Sequence, residues 1–230
     1  MTGLLSTPIF WLAVTLLVFQ GADTISLRTG RHPVAHPVMM AAPVLIALLW
    51  ITHTPYPVYR DATQGLVFLL GPGVVGLAVP IWARRALIAR MAVPIALALG
   101  AGAVTAIVSA VGILTLFGAP REMLMSIAPR ATTTPVAMAV SGQLGGVPAV
   151  TSAIVLFAGI LGAMVATPLF NALGITDFRA RGFAAGVSAH GFGAARAFQV
   201  NSMAGTFASL GMAMNAVMTA SLLSILALFI

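Results

Sequence analysis

The chain has 230 residues, 60% of them hydrophobic and only 7% charged, with a mean hydropathy of +1.07 and a formal charge of +7. That balance excludes an ordinary soluble domain, and membrane segments would consume nearly the whole length. All eleven basic residues are arginines scattered through short loops, which argues against a nucleic-acid surface, and the lack of cysteine removes disulfides and thiol chemistry.

A bilayer core is crossed by about 20 apolar helical residues. Residues 131–176 and 197–230 hold no Asp, Glu, Lys or Arg, so an integral membrane protein is expected. The first apolar run has no basic segment before it, and reads as a retained helix over about Leu4–Phe19 rather than a signal peptide. The loop with Arg28, Arg31, His32 and His36 is closed by Pro33 and Pro37. A second helix is predicted over Val38–Ile51, followed by Tyr56 and Tyr59 beside Trp50, the pattern of an interfacial aromatic belt. A third segment, Gly65–Trp82, contains Gly71-Pro72-Gly73, and Arg84, Arg85 and Arg90 form the most basic loop. Helix Met91–Phe117 follows, with Gly102, Ala106 and Ala110 as a close-packing stripe.

The segment 119–148 is too rich in Pro, Gly and polar residues for a plain span. Ala149–Leu173 is a clean helix, residues around 174–182 read as a loop, and Gly182–Val200 carries Ser188, His190 and Arg196. Met203–Ile230 completes the chain, with Gly205, Ser209 and Ala213 on one stripe. The stripes suit either internal packing or a homodimer.

Gly71-x-Gly73 and Gly191-x-Gly193 recur 120 residues apart, in segments each preceded by a clean helix and followed by a long one. Interrupted segments at matching positions of two halves point to a transporter site, with repeats over 1–118 and 119–230. The loops at 28–36, 83–90 and 177–181 hold two, three and two arginines, while 53–64 and 119–130 are nearly balanced. The positive-inside rule places the first three in the cytoplasm, so an odd number of crossings lies between Arg130 and Asp177. Helix 149–173 supplies one, and the segment from Thr132 to Gly146 should enter and return, or be half of a broken helix. Backbone of that kind is tolerated at depth only where protein or a watery cavity satisfies it.

Function should sit where polar residues break the apolar pattern. Arg196 has no acid in any apolar stretch to pair with, so it reads as a bidentate clamp on a carboxylate. The alternative is an arginine bound to backbone carbonyls or snorkelling to the interface. His190, beside Ser188, Gly191 and Gly193, either couples proton movement to a substrate or packs neutral and hydrogen-bonded. Thr132, Thr133 and Thr134 before Pro135 read as a helix start whose positive end faces an anion, with Ser141 and Gln143 further along, or as a surface cap near Arg130. Gly71 and Gly73 form a kink that matters only if the repeat is real. His32, His36 and His53 assemble no metal set, there is no phosphate loop, and all four acids (Asp23, Asp61, Glu122, Asp177) lie at membrane edges, so no enzyme and no cofactor is expected.

The segments Ala131–Val150, with Leu156–Ala163, and Arg181–Ala197 resemble the LrgB/CidB family of bacterial membrane proteins, and the likeness covers most of the chain. Where the family has a Ser-His and a Thr-Ala-Arg, this chain has Ser188-Ala189-His190 and Ala194-Ala195-Arg196; the His and Arg persist, and a hydroxyl is lost at Ala194. The resemblance implies an all-α, polytopic protein of the bacterial inner membrane. With the residue pattern, the expectation is a single domain over 1–230, built of seven or eight membrane segments in two inverted halves with interrupted or re-entrant helices. The plastid relatives, similar to the glycolate/glycerate translocator, imply transport of small monocarboxylates such as glycolate, glycerate or pyruvate. The bacterial label implies instead an antiholin-like control of murein hydrolase export and lysis, alongside an LrgA-type membrane partner. An Arg with no acid in the surrounding apolar sequence and a His at an interrupted segment favour transport, since a pore-former needs only packing helices.

Overall fold

In a computed structural model of the protein, residues 7–32 and 35–227 are described, and all regular structure among them is helical. The expected helix start at Leu4–Ser6, Pro33 of the first loop, and the last residues 228–230 lie outside the described residues. The chain divides into two compact units, Met1–Gly76 and Leu77–Ile230.

The first unit holds α1 (Pro8–Arg28), α2 (Pro37–Ile51), α3 (Tyr56–Ala62) and α4 (Gln64–Gly76). Proline opens α1, α2 and α3 within the first two positions, where its missing N–H costs no helical bond. Trp50 and Tyr56 are exposed as an interfacial belt requires. Tyr59 instead turns inward, edge-on to Trp11 at 5.8 Å, with its hydroxyl 3.1 Å from Thr15 Oγ1. Gly71 and Gly73 lie inside α4, whose backbone stays helical through Pro72.

The second unit holds α5 (Ala78–Ala83), α6 (Arg85–Arg90), α7 (Ala92–Leu116), α8 (Arg121–Ile127), α9 (Thr134–Gln143), α10 (Pro148–Ala172), α11 (Phe178–Val200) and α12 (Ser202–Ala227). The basic loop of the sequence is thus mostly helix α6, and the loop expected before Gly182 is already the first turn of α11, capped by Asp177. Among the described residues five stretches are long and apolar enough to cross a membrane: α1, Gln64–Ala83, α7, α10 and α12. Large apolar side chains stay exposed on them, Leu97, Phe157 and Val217 among them. Such surface is unfavourable in water and suits lipid. The 15 residues of α2 rise only about 23 Å, short of a hydrocarbon core.

Two chain reversals shape the second unit. At His190 the backbone leaves the helix, with φ 40° and ψ −123°. The chain then doubles back: a Cβ on Gly193 would run into the carbonyl oxygen of Ala185, eight residues earlier. Val200 shares a crevice with Phe178, and Arg196 with Gly182. So 178–189 descends about 18 Å and 191–200 returns about 15 Å. After Asn201, whose Oδ1 accepts from the Met203 N–H at 2.8 Å, α12 runs parallel to the descending half. Gly182 lies against Ala204 and Gly186 against Ala208, a constant offset that only parallel packing gives. No side chain larger than hydrogen fits at either glycine, because each faces a backbone carbonyl.

The other reversal is α8, the non-helical segment 128–133, and α9. Ser126 near the end of α8 and Ser141 near the end of α9 come together again through Thr151, whose Oγ1 lies 2.9 Å from the Ser126 carbonyl and 2.7 Å from Ser141 Oγ. The chain therefore goes in and comes back between these serines, the first of the two forms expected of this segment. The two reversals open at opposite ends of the helix bundle. The α11 reversal starts beside the beginning of α7, where Arg179 Nη1 meets Met91 Sδ at 3.7 Å. The α8–α9 reversal starts beside the end of α7 and the beginning of α10.

Candidate functional site

Between α7, α10, the descending half of α11 and the segment 128–133 lies a cavity of about 750 Å³, within the usual range for small-molecule sites. Met91, Asp177 and Arg179 stand at its mouth, and Ser109, Arg130 and Ala131 at its inner end. The walls are mainly apolar, from Ile95, Val165 and Phe183, with Thr105 and Ser188 as polar points. Glycines let the walls close on α11: a Cβ on Gly102 would stand 2.9 Å from Val187 Cγ1, and one on Gly162 2.8 Å from Ala189 Cβ.

Arg130 is the cation of the inner end. Its Nη2 lies 3.5 Å from the Ala106 carbonyl, which Ser109 Oγ also approaches at 3.5 Å. Among the described residues its guanidinium forms no ion pair; the ion pairs there are Arg31–Asp23, Arg60–Asp61 and Arg179–Asp177. At the mouth, Arg179 hydrogen-bonds Asp177 through side chain and backbone and holds its carboxyl down to about 2, while the Asp177 carboxylate raises the Arg179 guanidinium in turn.

Of the residues singled out from sequence, Ser188 faces this cavity, its Oγ donating to the Ala184 carbonyl at 2.8 Å and keeping its lone pairs open. Thr132, Thr133 and Thr134 lie at the turn of the α8–α9 reversal, next to Arg130. Thr133 is the N-cap residue of α9 and Pro135 sits in the first turn, although no side chain caps the helix. Thr132 is buried and donates to the Pro129 carbonyl at 3.0 Å. The helix start is therefore where the threonines put it, and inside the bundle rather than on its surface. Gln143, at the far end of α9, is exposed and about 15 Å along the helix from that turn.

His190 is the turn of α11, 3% exposed, with Nε2 3.2 Å from the Val155 carbonyl and its ring edge-on to Phe192 at 5.9 Å. The place for the ring is cut into α10: a Cβ on Gly159 would fall 2.8 Å from His190 Nε2 and 2.7 Å from Phe192. A positive φ on a residue other than glycine costs about 1–3 kcal/mol and persists only where its surroundings enforce it. Gly193 permits the doubling back; Gly191 is open, with nothing within 4 Å of a Cβ. Arg196 stands on the returning half, at a crevice of about 30 Å³ with Phe178 and Gly182, its Nη1 3.4 Å from Gln199 Oε1. It is not part of the 750 Å³ cavity. Gly71 and Gly73 belong to the first unit, with nothing within 4 Å of a Cβ on either.

Two residues of this region were not read from the sequence. Arg130 reads in sequence as the end of the nearly charge-balanced outer loop 119–130. Asn215 carries a legible signal, an amide alone in the charge-free stretch of α12. It is wholly buried, and its Nδ2 donates to the carbonyls of Ala131 at 2.7 Å and Val187 at 3.1 Å.

A family model described as the LrgB-like family matches residues 15–229. The chain is similar to two proteins of Bacillus subtilis (strain 168). It is 34% identical to the uncharacterized protein YwbG over 208 residues, covering 90% of this chain and 92% of that one. It is 31% identical to the uncharacterized protein YxaC over 186 residues, covering 81% of each. No solved structure matches the chain. The chain belongs to the LrgB-like family.

Proposed function

We propose that this LrgB-like protein is a carrier of small monocarboxylates, 2-hydroxy or 2-keto acids of the glycolate, glycerate and pyruvate type, in the bacterial inner membrane. The observation that carries this reading is Arg130: a guanidinium with no acidic partner among the described residues, at the inner end of a largely apolar cavity. A cation in such a place favours an anionic ligand, and its planar fork matches a carboxylate. Ser109, which shares the Ala106 carbonyl with Arg130, and Thr105 and Ser188 elsewhere on the cavity wall offer hydroxyl oxygens to a substrate hydroxyl. The positive end of α9, three residues beyond Arg130, adds to the field.

In this reading the two reversals are re-entrant hairpins that dip from opposite faces and meet near the membrane midplane. Backbone that leaves the helix at such depth is tolerated because it lines a cavity or is bonded to protein. The arginine-rich ends, 83–90 and 177–181, mark the cytoplasmic face; the cavity mouth, at Asp177 and Arg179, then opens to the cytoplasm. Movement of the hairpins against α7 and α10 exposes the bound acid to the other face.

The test is uptake of labelled glycolate, glycerate and pyruvate into liposomes holding the purified protein, with and without an LrgA-type partner. Saturable uptake supports the carrier. No uptake of any of the three, together with leakage of an entrapped dye, overturns it in favour of a holin-like pore.

A further inference from the structure

Asn215, at mid-length of α12, uses both of its N–H groups, one on each reversal. Ala131 belongs to the non-helical segment 128–133. Val187 lies in the last turn before the break at His190, where a helix leaves its carbonyls without partners of their own. Thr219 donates to Asn215 Oδ1 at 3.2 Å, which turns the amide nitrogen toward the two carbonyls. All three hydrogen bonds are closed to solvent, since Asn215 is 0% and Thr219 1% exposed.

We propose that Asn215 is a positioning residue that ties the two reversals together and thereby holds Arg130, the neighbour of Ala131, at the inner end of the cavity. The consequence for Arg130 rests on reading that cavity as the substrate site; the tie itself does not. An amide is the side chain suited to the task. It offers two diverging donors on one nitrogen, where a hydroxyl offers one and a leucine of similar size none. Without it, two carbonyls brought side by side on one nitrogen lose that partner, and each loss is costly in a dry interior.

The chain has no cysteine, so a single Thr132→Cys substitution supplies its sole thiol, at a position 1% exposed beside the tie. Labelling of the purified protein by a charged maleimide then reads the packing of the reversal and requires no substrate. Asn215→Leu should raise the labelling rate at position 132 at least about tenfold, and Asn215→Ser, which keeps one donor, should give an intermediate rate. Ser126→Cys, buried at the other end of α8–α9, should label as slowly with Asn215→Leu as without it. In uptake, Asn215→Ser should raise the half-saturating glycolate concentration while leaving the maximal rate nearly unchanged. Equal protection of position 132 in the parent, Asn215→Leu and Asn215→Ser overturns the proposal. If Asn215→Leu does not fold, parent-like protection with Asn215→Ser does the same. Faster labelling at positions 126 and 132 alike also overturns it, since Asn215 would then support the whole fold. Faster labelling at position 132 alone, in a protein that takes up no carboxylate, upholds the tie and sinks the carrier reading instead.

Discussion

Arg130→Gln removes the charge at the inner end of the cavity and leaves a side chain of similar length. A carboxylate oxygen about 4 Å from the guanidinium, at an effective dielectric of about 20, is held by about 4 kcal/mol. Arg130 is half-buried, so solvent screening takes a large share of that. About 2 kcal/mol remains, at the lower end of the cost of truncating one partner of a bonded charge pair. The expected result is a loss of about thirtyfold in glycolate affinity, measured by equilibrium binding of labelled acid to the detergent-purified protein. Thermal unfolding run alongside should show the variant folded. Arg130→Lys should recover only part of the loss, because a point charge cannot reproduce the fork. Arg196→Gln, outside the cavity, should stay within about threefold of the parent, a difference of less than 1 kcal/mol. Parent-like binding by Arg130→Gln refutes the argument. If Arg196→Gln carries the loss instead, the carboxylate clamp sits on the returning half of α11.

Gly159→Ala would press on the His190 ring and Phe192; overpacking of this kind costs about 1–3 kcal/mol, so the variant should melt several degrees lower. Gly100→Ala, which has nothing within 4 Å of its new Cβ, should be neutral or slightly stabilising in the same melt. Gly186→Ala should prevent assembly of α11 on α12, because the Cβ meets the Ala208 carbonyl; the readout is loss of the monodisperse species on size-exclusion chromatography. Arg179 holds the Asp177 carboxyl down to about 2, below the ordinary carboxylate value, so its pairing supports the fold above about pH 4 and is lost as pH falls toward 2. Asp177→Asn keeps a capping oxygen and should flatten that part of the stability–pH curve, measured by melting between pH 5 and pH 2. Single cysteines placed at Arg90 and Arg121 should be labelled from opposite faces of intact vesicles, and labelling of both from one face would refute the hairpin topology.

Much of this protein is written in local pattern. Runs of 25 apolar residues bounded by Pro, Gly or Arg mark α7 and α10 to within a residue or two, because hydrophobic length is a property of the segment itself. The same holds for the start of α9 at the threonines before Pro135; charge counting leaves that segment either turning back or forming half of a broken helix, and the bonds of Thr151 to Ser126 and Ser141 show that it turns back. The family is legible too, in the residues around His190 and Thr132. The reversal of α11 is not, because Gly- and Ala-rich sequence permits a straight helix, a kink or a hairpin equally well. Which one forms is decided by the φ of His190, and that angle is enforced by its bond to Val155 and the space left at Gly159, 35 and 31 residues away in the chain. Arg130 shows the same limit. Beside Pro129 it reads as the edge of an outer loop, while its segment packs inside the bundle through partners distant in the chain, among them Leu223 against Ala128 and Asn215, 84 residues away, whose amide donates to the Ala131 carbonyl. Apolar period and charge count report what each stretch can bury; where a polar side chain finally points is set by partners that the local sequence does not contain.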